Sequence, residues 1–235
     1  MKNLIITVGT SAIMNEELGR GPEHRDNRTL VTAIEEYKSA VDRSVPGNQA
    51  LLNDLLDAHR LYWNAPPRHR DNPQWKRQTS AELRSTYYLM KGKVSEAPER
   101  VFLLASDTDE GWMAALVNQR IMQEVWGWHN VQAKRVEGLD KNMKGVTDRL
   151  RACFDGDWGL TGEPDVTVNF TGGFKGTVPE LTLVAADRKW RLFYQHEESS
   201  QAVSIPLSLP NPGEKLSAPE TEELNPPERE RMIRL

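Results

Sequence analysis

The sequence predicts an α/β protein, a Rossmann-like, mainly parallel sheet flanked by helices with a C-terminal antiparallel hairpin at the sheet edge. Three observations predict it. Two compact runs, Leu4-Ile5-Ile6-Thr7-Val8 and Val101-Phe102-Leu103-Leu104-Ala105, are almost wholly apolar, the pattern of strands buried on both faces. Helix-spaced apolar residues lie between the strand patterns and give the βαβ rhythm of a parallel sheet. Near the end the rhythm changes, because Trp190 to Gln195 and Ala202 to Leu207 flank the polar His196-Glu197-Glu198-Ser199-Ser200, which reads as a hairpin closing one sheet edge.

The elements follow in order. After the strand at Leu4 to Val8, Leu30, Ile34, Tyr37 and Val41 recur at helical spacing, and Leu51 to Leu61 marks another helix. Thr79-Ser80-Ala81-Glu82 has the capping-box pattern of a further helix start. The strand at Val101 to Ala105 leads into a helix carried by Met113, Leu116, Val117, Ile121 and Val125, with Asp107 and Glu110 at its start. Weaker strand patterns run from Val131 to Val136 and from Asp165 to Phe170. Four parallel strands plus the hairpin is the expected topology. Most of the tryptophans read as core or loop anchors, and Trp112, beside Gly111, is near enough to the loop motifs to stack on a base.

Composition bounds the function. A chain of 235 residues suits one domain, here residues 1–207, followed by a Pro- and Glu-rich tail over 208–235 with too little apolar content to pack independently. A formal net charge of -4 argues against a coat for long nucleic acid, which needs a basic excess, so any nucleotide ligand is expected to be small. No apolar run reaches the roughly 18 residues of a membrane span and no signal peptide opens the chain, so a cytoplasmic location is expected. Cys153 stands alone and fits an apolar helix stripe with Met143, Val146 and Leu150. Residues 64–78 form a Pro-rich basic loop that reads as a solvated connector, the alternative being that its basic side chains, Arg68 and Arg70 among them, cover a phosphate ligand.

In an open parallel sheet, ligands bind beyond the carboxyl ends of the strands. Three loops fall there. Gly9-Thr10-Ser11 follows the first strand and Ser106-Asp107-Thr108-Asp109-Glu110-Gly111 the second strong one. Thr171-Gly172-Gly173-Phe174-Lys175-Gly176 follows the last parallel one, and there backbone amides and an ammonium converge on an anion. A tight turn accounts for Gly172 and Gly173 and a helix cap for Ser11, but neither accounts for Lys175, which a helix start disfavours. In the second loop Ser106, Thr108 and the Gly111 amide are expected at the ligand, with Asp107 accepting from a ribose or base. No Gly-x-Gly-x-x-Gly follows the first strand, which argues against a dinucleotide enzyme.

Val8-Gly9-Thr10-Ser11, Ser80-Ala81-Glu82-Leu83, Leu104 to Gly111, Val136-Glu137-Gly138-Leu139 and Asn169 to Gly176 occur in one order. Together they resemble the CRISPR-associated Rossmann-fold (CARF) family over residues 1 to 207. The resemblance implies a homodimer whose two sheets share a pocket for a cyclic oligoadenylate, the second messenger of type III CRISPR defence, most commonly cyclic tetra-adenylate. Larger relatives carry a HEPN ribonuclease with an Arg-x4-His motif. Here that spacing falls at Arg191 and His196, on a strand whose alternation sends the two side chains to opposite faces. A stand-alone member is similar to the ring nucleases, which cut the messenger by 2′-OH attack with no metal and no cofactor. The resemblance makes Ser11 and Lys175 the catalytic residues, while His24, His59, His69 and His129 lie outside the motifs. The alternative is a sensor or sponge that holds the ring uncut and signals through a partner.

Overall fold

The computed structural model describes residues 1–15, 18, 28–66, 78–139, 144–173, 175–196, 201–206 and 220–223. At its centre, β1 (Asn3–Val8) pairs in parallel with β2 (Arg100–Ser106) from Asn3↔Arg100 to Val8↔Ala105. Beyond β2 lies β3 (Val131–Val136), and on the other side of β1 lie β4 (Val166–Asn169) and then β5 (Arg191–Gln195), all parallel. Two antiparallel strands, β6 (Gln201–Pro206) and β7 (Glu220–Glu223), complete the order β3-β2-β1-β4-β5-β6-β7 among the described residues.

The apolar runs are buried on both faces because alternate residues enter two different cores. Leu4, Ile6 and Val8 of β1, with Val101, Leu103 and Ala105 of β2, pack toward α1 (Ser11–Met14), α2 (Arg28–Ser39), α3 (Gln49–Asn64), α4 (Ala81–Leu89) and α5 (Asp109–Glu124). The intervening Ile5, Phe102 and Leu104 pack with Val166, Val168 and Leu192 against α6 (Val146–Ala152) and α7 (Val178–Asp187). Period-two alternation thus persists within an unbroken apolar run. Cys153 belongs to the second core, and burial pushes its thiol up to about 12, as suits a packing residue.

Four details differ from the sequence expectation. The first strand of the hairpin pairs in parallel with β4, so five strands are parallel and not four. The hairpin does not close the sheet edge, because β7, from within the stretch read as a tail, adds to β6 from Gln201↔Glu223 to Ser204↔Glu220. Edge addition needs main-chain groups and no apolar side chains, which is why composition did not signal it. Val41 lies beyond the end of α2 and is fully exposed, whereas Leu30, Ile34 and Tyr37 are buried. The N-cap of α5 is Thr108, one residue after Asp107, with the Thr108 hydroxyl accepting from the Gly111 amide at 3.1 Å. Thr108→Ala is therefore expected to lower stability by about 1 kcal/mol, read as a shift of the urea midpoint at constant slope.

Candidate functional site

From β1 the chain moves outward through β2 to β3, then crosses back to place β4 on the other side of β1. The order reverses between β1 and β4, and the crossovers diverge there to leave a crevice at the strands' carboxyl ends. Gly9-Thr10-Ser11 leaves β1 and Thr171-Gly172-Gly173 leaves β4 at that point. With Lys175, the start of α4 at Ala81 and Glu82, and Met14 and Asn15 of the α1 region, they line a cavity of about 290 Å³.

Glu82 organises the floor. Its residue is fully buried, and its carboxylate accepts from the Gly9 amide at 2.7 Å on Oε1 and from the Ser11 hydroxyl at 2.6 Å on Oε2. The Ser11 oxygen in turn accepts from the Ala81 amide at 3.0 Å. Ser80 is the N-cap of α4, accepting from Leu83 N at 3.0 Å and donating to Asn118 Oδ1 at 2.7 Å. With Ser80 capping, Glu82 stands two residues on, one short of the position that closes a capping box. Its side chain is spent across the sheet end instead. From its local pattern Glu82 reads as a cap; the displaced spacing from Ser80 and its place in the Ser80-Ala81-Glu82-Leu83 motif are the signals that point beyond capping.

Backbone, not side chain, forms the close approach between the loops. A Cβ on Gly172 would lie 2.0 Å from Glu82 Oε1, and one on Gly9 would lie 2.9 Å from the Gly173 amide nitrogen. Gly173 has φ +88°, the left-handed region, and a Cβ there would sit 2.8 Å from Thr7 Cβ. Below them Asn169, also buried, donates to Ser85 Oγ at 2.8 Å and Thr86 Oγ1 at 3.2 Å and accepts from Thr171 N at 3.2 Å, joining β4 to α4. The Thr171 hydroxyl accepts from the Gln195 amide at 2.9 Å, joining β5.

Lys175 opens a short 3₁₀ turn, Lys175–Thr177, and is exposed. Its ammonium donates to Thr171 O at 2.8 Å and lies 5.4 Å from the centre of the Tyr194 ring, which stacks on Phe170. Gly176 lies within that turn and off the cavity wall. Phe174 and residues 67–77 of the basic loop, Arg68 and Arg70 included, lie outside the described residues, as does the tail apart from residues 220–223.

The loop after β2 is held by partners of its own. Ser106 Oγ and Thr108 Oγ1 are 2.9 Å apart, and a Cβ on the buried Gly111 would fall 2.4 Å from Ser106 Oγ. Asp107 Oδ2 accepts from the Gly138 amide at 3.2 Å, tying this loop to the one after β3. Asp109 pairs with Arg135 at 2.9 Å and Glu110 with Arg43 at 2.6 Å. Ser106 borders a separate hollow of about 10 Å³, with Thr7 and Gly173 on its wall, at the lower limit for one water. Asp107, Thr108 and Gly111 are not on the wall of the larger cavity. Trp112 packs against the first core, and the Arg135 guanidinium covers its ring at 5.3 Å. Arg191 opens β5 and His196 follows its end, about 16 Å apart at strand rise, too far for one catalytic pair.

His59 braces the site from behind. Its Nε2 lies 3.0 Å from Ala12 O and its Nδ1 3.1 Å from Thr79 Oγ1. Since a carbonyl only accepts, Nε2 carries the proton and Nδ1 accepts from the Thr79 hydroxyl, which itself accepts from Trp63 Nε1 at 3.0 Å. Burial pushes the imidazole down to about 4, so it is neutral near pH 7. One residue thereby fixes α1, next to Ser11, and the lead into α4, next to Glu82.

No helix among the described residues is long and apolar enough to cross a membrane. No curated protein matches the chain. A family model described as "CRISPR-associated protein (Cas_APE2256)" matches residues 77–208, from just before α4 to just past β6. That span holds Glu82, the loop after β2 and the Thr171 to Lys175 wall; β1 and Ser11 precede it, and the fold brings them to the same cavity. With more than half of its length matched, and with the matched part carrying most of the crevice, the chain belongs to the CRISPR-associated Cas_APE2256 family.

Proposed function

We propose that the protein binds a cyclic oligoadenylate, cyclic tetra-adenylate as first candidate, at a homodimer interface, and opens the ring by metal-independent attack of a ribose 2′-OH on the adjacent phosphate. The observation that carries the proposal is the meeting of Ser11 and Lys175, from loops 164 residues apart in sequence, on one cavity at the switch point of the sheet. Membership of a CRISPR-associated family supports it, as does the CARF resemblance of the loops themselves.

The cavity of about 290 Å³ is at the low end of the ~300–1,000 Å³ of small-molecule sites. One protomer would then hold a part of the ring, and a two-fold copy would present a second Ser11 and Lys175 to the opposite part. This explains how a chain of net charge -4 handles several phosphates with one basic loop per subunit. The chemistry asks for positioning and charge compensation. The 2′-oxygen forms a bond to phosphorus, the bond from phosphorus to the 5′-oxygen breaks, and the product is linear with a 2′,3′-cyclic phosphate and a 5′-hydroxyl. The nucleophile belongs to the substrate, so no water has to be activated. Lys175 would neutralise the charge growing on the phosphoryl oxygens.

The test is incubation with cyclic tetra-adenylate in EDTA and chromatography of the products. Linear products ending in a cyclic phosphate are expected, with Lys175→Ala about 10²-fold slower and Ser11→Ala also impaired. Tight binding of an intact ring would make the protein a sensor or sponge. No binding of any ring size would overturn the proposal.

A further inference from the structure

Ser11 has one proton to give and two lone pairs to accept with. The carboxylate of Glu82 only accepts, so the 2.6 Å contact consumes the Ser11 proton. The Ala81 amide, at 3.0 Å, consumes one lone pair. What remains toward the cavity is a single acceptor site. A phosphate oxygen, itself an acceptor, finds nothing to receive there, whereas a hydroxyl does. The Gly9 amide is likewise committed, to Glu82 Oε1 at 2.7 Å. Ser11 is therefore set to meet a ribose hydroxyl, the Gly9 amide has no donor left for a phosphate, and charge on the phosphate falls to Lys175.

We infer that Glu82 is the positioning residue of the cleavage step: it fixes Ser11 as an acceptor for the ribose 2′-OH and, through Ser11, takes the proton that the 2′-oxygen releases. This rests on the ring chemistry proposed above. As the 2′-oxygen bonds to phosphorus, its proton passes to Ser11 Oγ and the proton of Ser11 passes to Glu82 Oε2. The 5′-oxygen that leaves phosphorus takes a proton from solvent water, and the resulting hydroxide recovers the proton held by Glu82. No proton is gained or lost overall, and the carboxylate is regenerated. The site is built for this role: Glu82 is fully buried, each of its oxygens holds a donor, and Gly172 leaves room for it where any side chain would collide.

Two measurements test it. First, the unmodified protein is titrated with cyclic tetra-adenylate and with its 2′-fluoro analogue, which keeps an acceptor at the 2′ position but has no proton and cannot be cut. Binding of the fluoro ring about tenfold weaker is expected; equal binding overturns the inference without any variant being needed. Second, Glu82→Gln is compared with the unmodified protein and with Glu82→Asp. The glutamine can still accept from Gly9, but its amide donates to Ser11 and turns the hydroxyl proton into the cavity. Ring affinity within a few-fold of normal, cleavage about a hundredfold slower, a narrowed fluoro penalty and partial recovery in Glu82→Asp are expected. Cleavage by Glu82→Gln at the normal rate overturns the inference while leaving the ring nuclease proposal standing. If the unmodified protein neither binds nor cuts any ring, the proposed function fails and this inference with it.

Discussion

Gly172→Ala is expected to abolish ring cleavage and to lower the unfolding free energy by about 3 kcal/mol. The added methyl would lie 2.0 Å from Glu82 Oε1, 2.5 Å from its Cδ and 2.6 Å from its Cγ. Moving only the carboxylate does not relieve three overlaps, so the whole side chain must rotate. It is buried, and it leaves behind the Gly9 amide and the Ser11 hydroxyl, both of which donate to that carboxylate. The cost therefore combines overpacking with broken bonds to a buried charge, and Ser11 loses its orientation in the same event. Gly156→Ala is the control, since nothing lies within 4 Å of its Cβ position, and there the expected change is within about 1 kcal/mol. Urea unfolding and ring cleavage measured on both variants decide it; an active, stable Gly172→Ala would show that the loop after β4 does not hold Glu82 in place.

How much of this was open to sequence reading depends on whether a residue's partner was near it in the pattern. The two central strands, the helix of Met113 to Val125 and the hairpin were legible because burial on one face or two leaves a period in a single segment. Main-chain addition at the β7 edge leaves no such period, and neither does the parallel pairing of β5 with β4. In the site, Gly9 to Ser11 and Thr171 to Lys175 could be placed together because the ends of parallel strands share one side of a sheet. Glu82 entered only through the resemblance of Ser80-Ala81-Glu82-Leu83, with no role attached, since the Gly9, Ser11 and Gly172 contacts that define it lie 71 to 90 positions away. A local cap was the nearest explanation for an acid beside Ser80. His59 was passed over for a similar reason: a histidine on the apolar face of α3 gives no hint that its two ring nitrogens meet Ala12 and Thr79.

That histidine is expected to weaken the fold as the pH falls. His59 is driven from its usual 6.5 to about 4 by burial, only partly opposed by its bond to the Ala12 carbonyl. In the unfolded chain it protonates near its ordinary value, so between the two pH values the unfolded state binds a proton that the folded state refuses. Its contribution is complete above pH 6.5 and declines as pH falls toward 4, by up to about 1.4 kcal/mol per pH unit and on the order of 3 kcal/mol in all. The carboxylates with depressed values act lower. Asp155, held down by the two bonds from Arg188, loses its contribution only below its usual 3.8, so the window from 6.5 to 4 belongs to His59 among these groups. Unfolding free energies from urea titrations at pH 7.5 and 4.5 should differ by about 2 to 3 kcal/mol, roughly the linkage figure, and His59→Gln should be less stable at pH 7.5 but nearly flat across the window. Because the same imidazole ties α1 to the lead into α4, ring cleavage should fall with stability on acidification and not ahead of it; a flat wild-type profile between pH 6.5 and 4.5 would mean that His59 is not the neutral, doubly bonded brace its geometry describes.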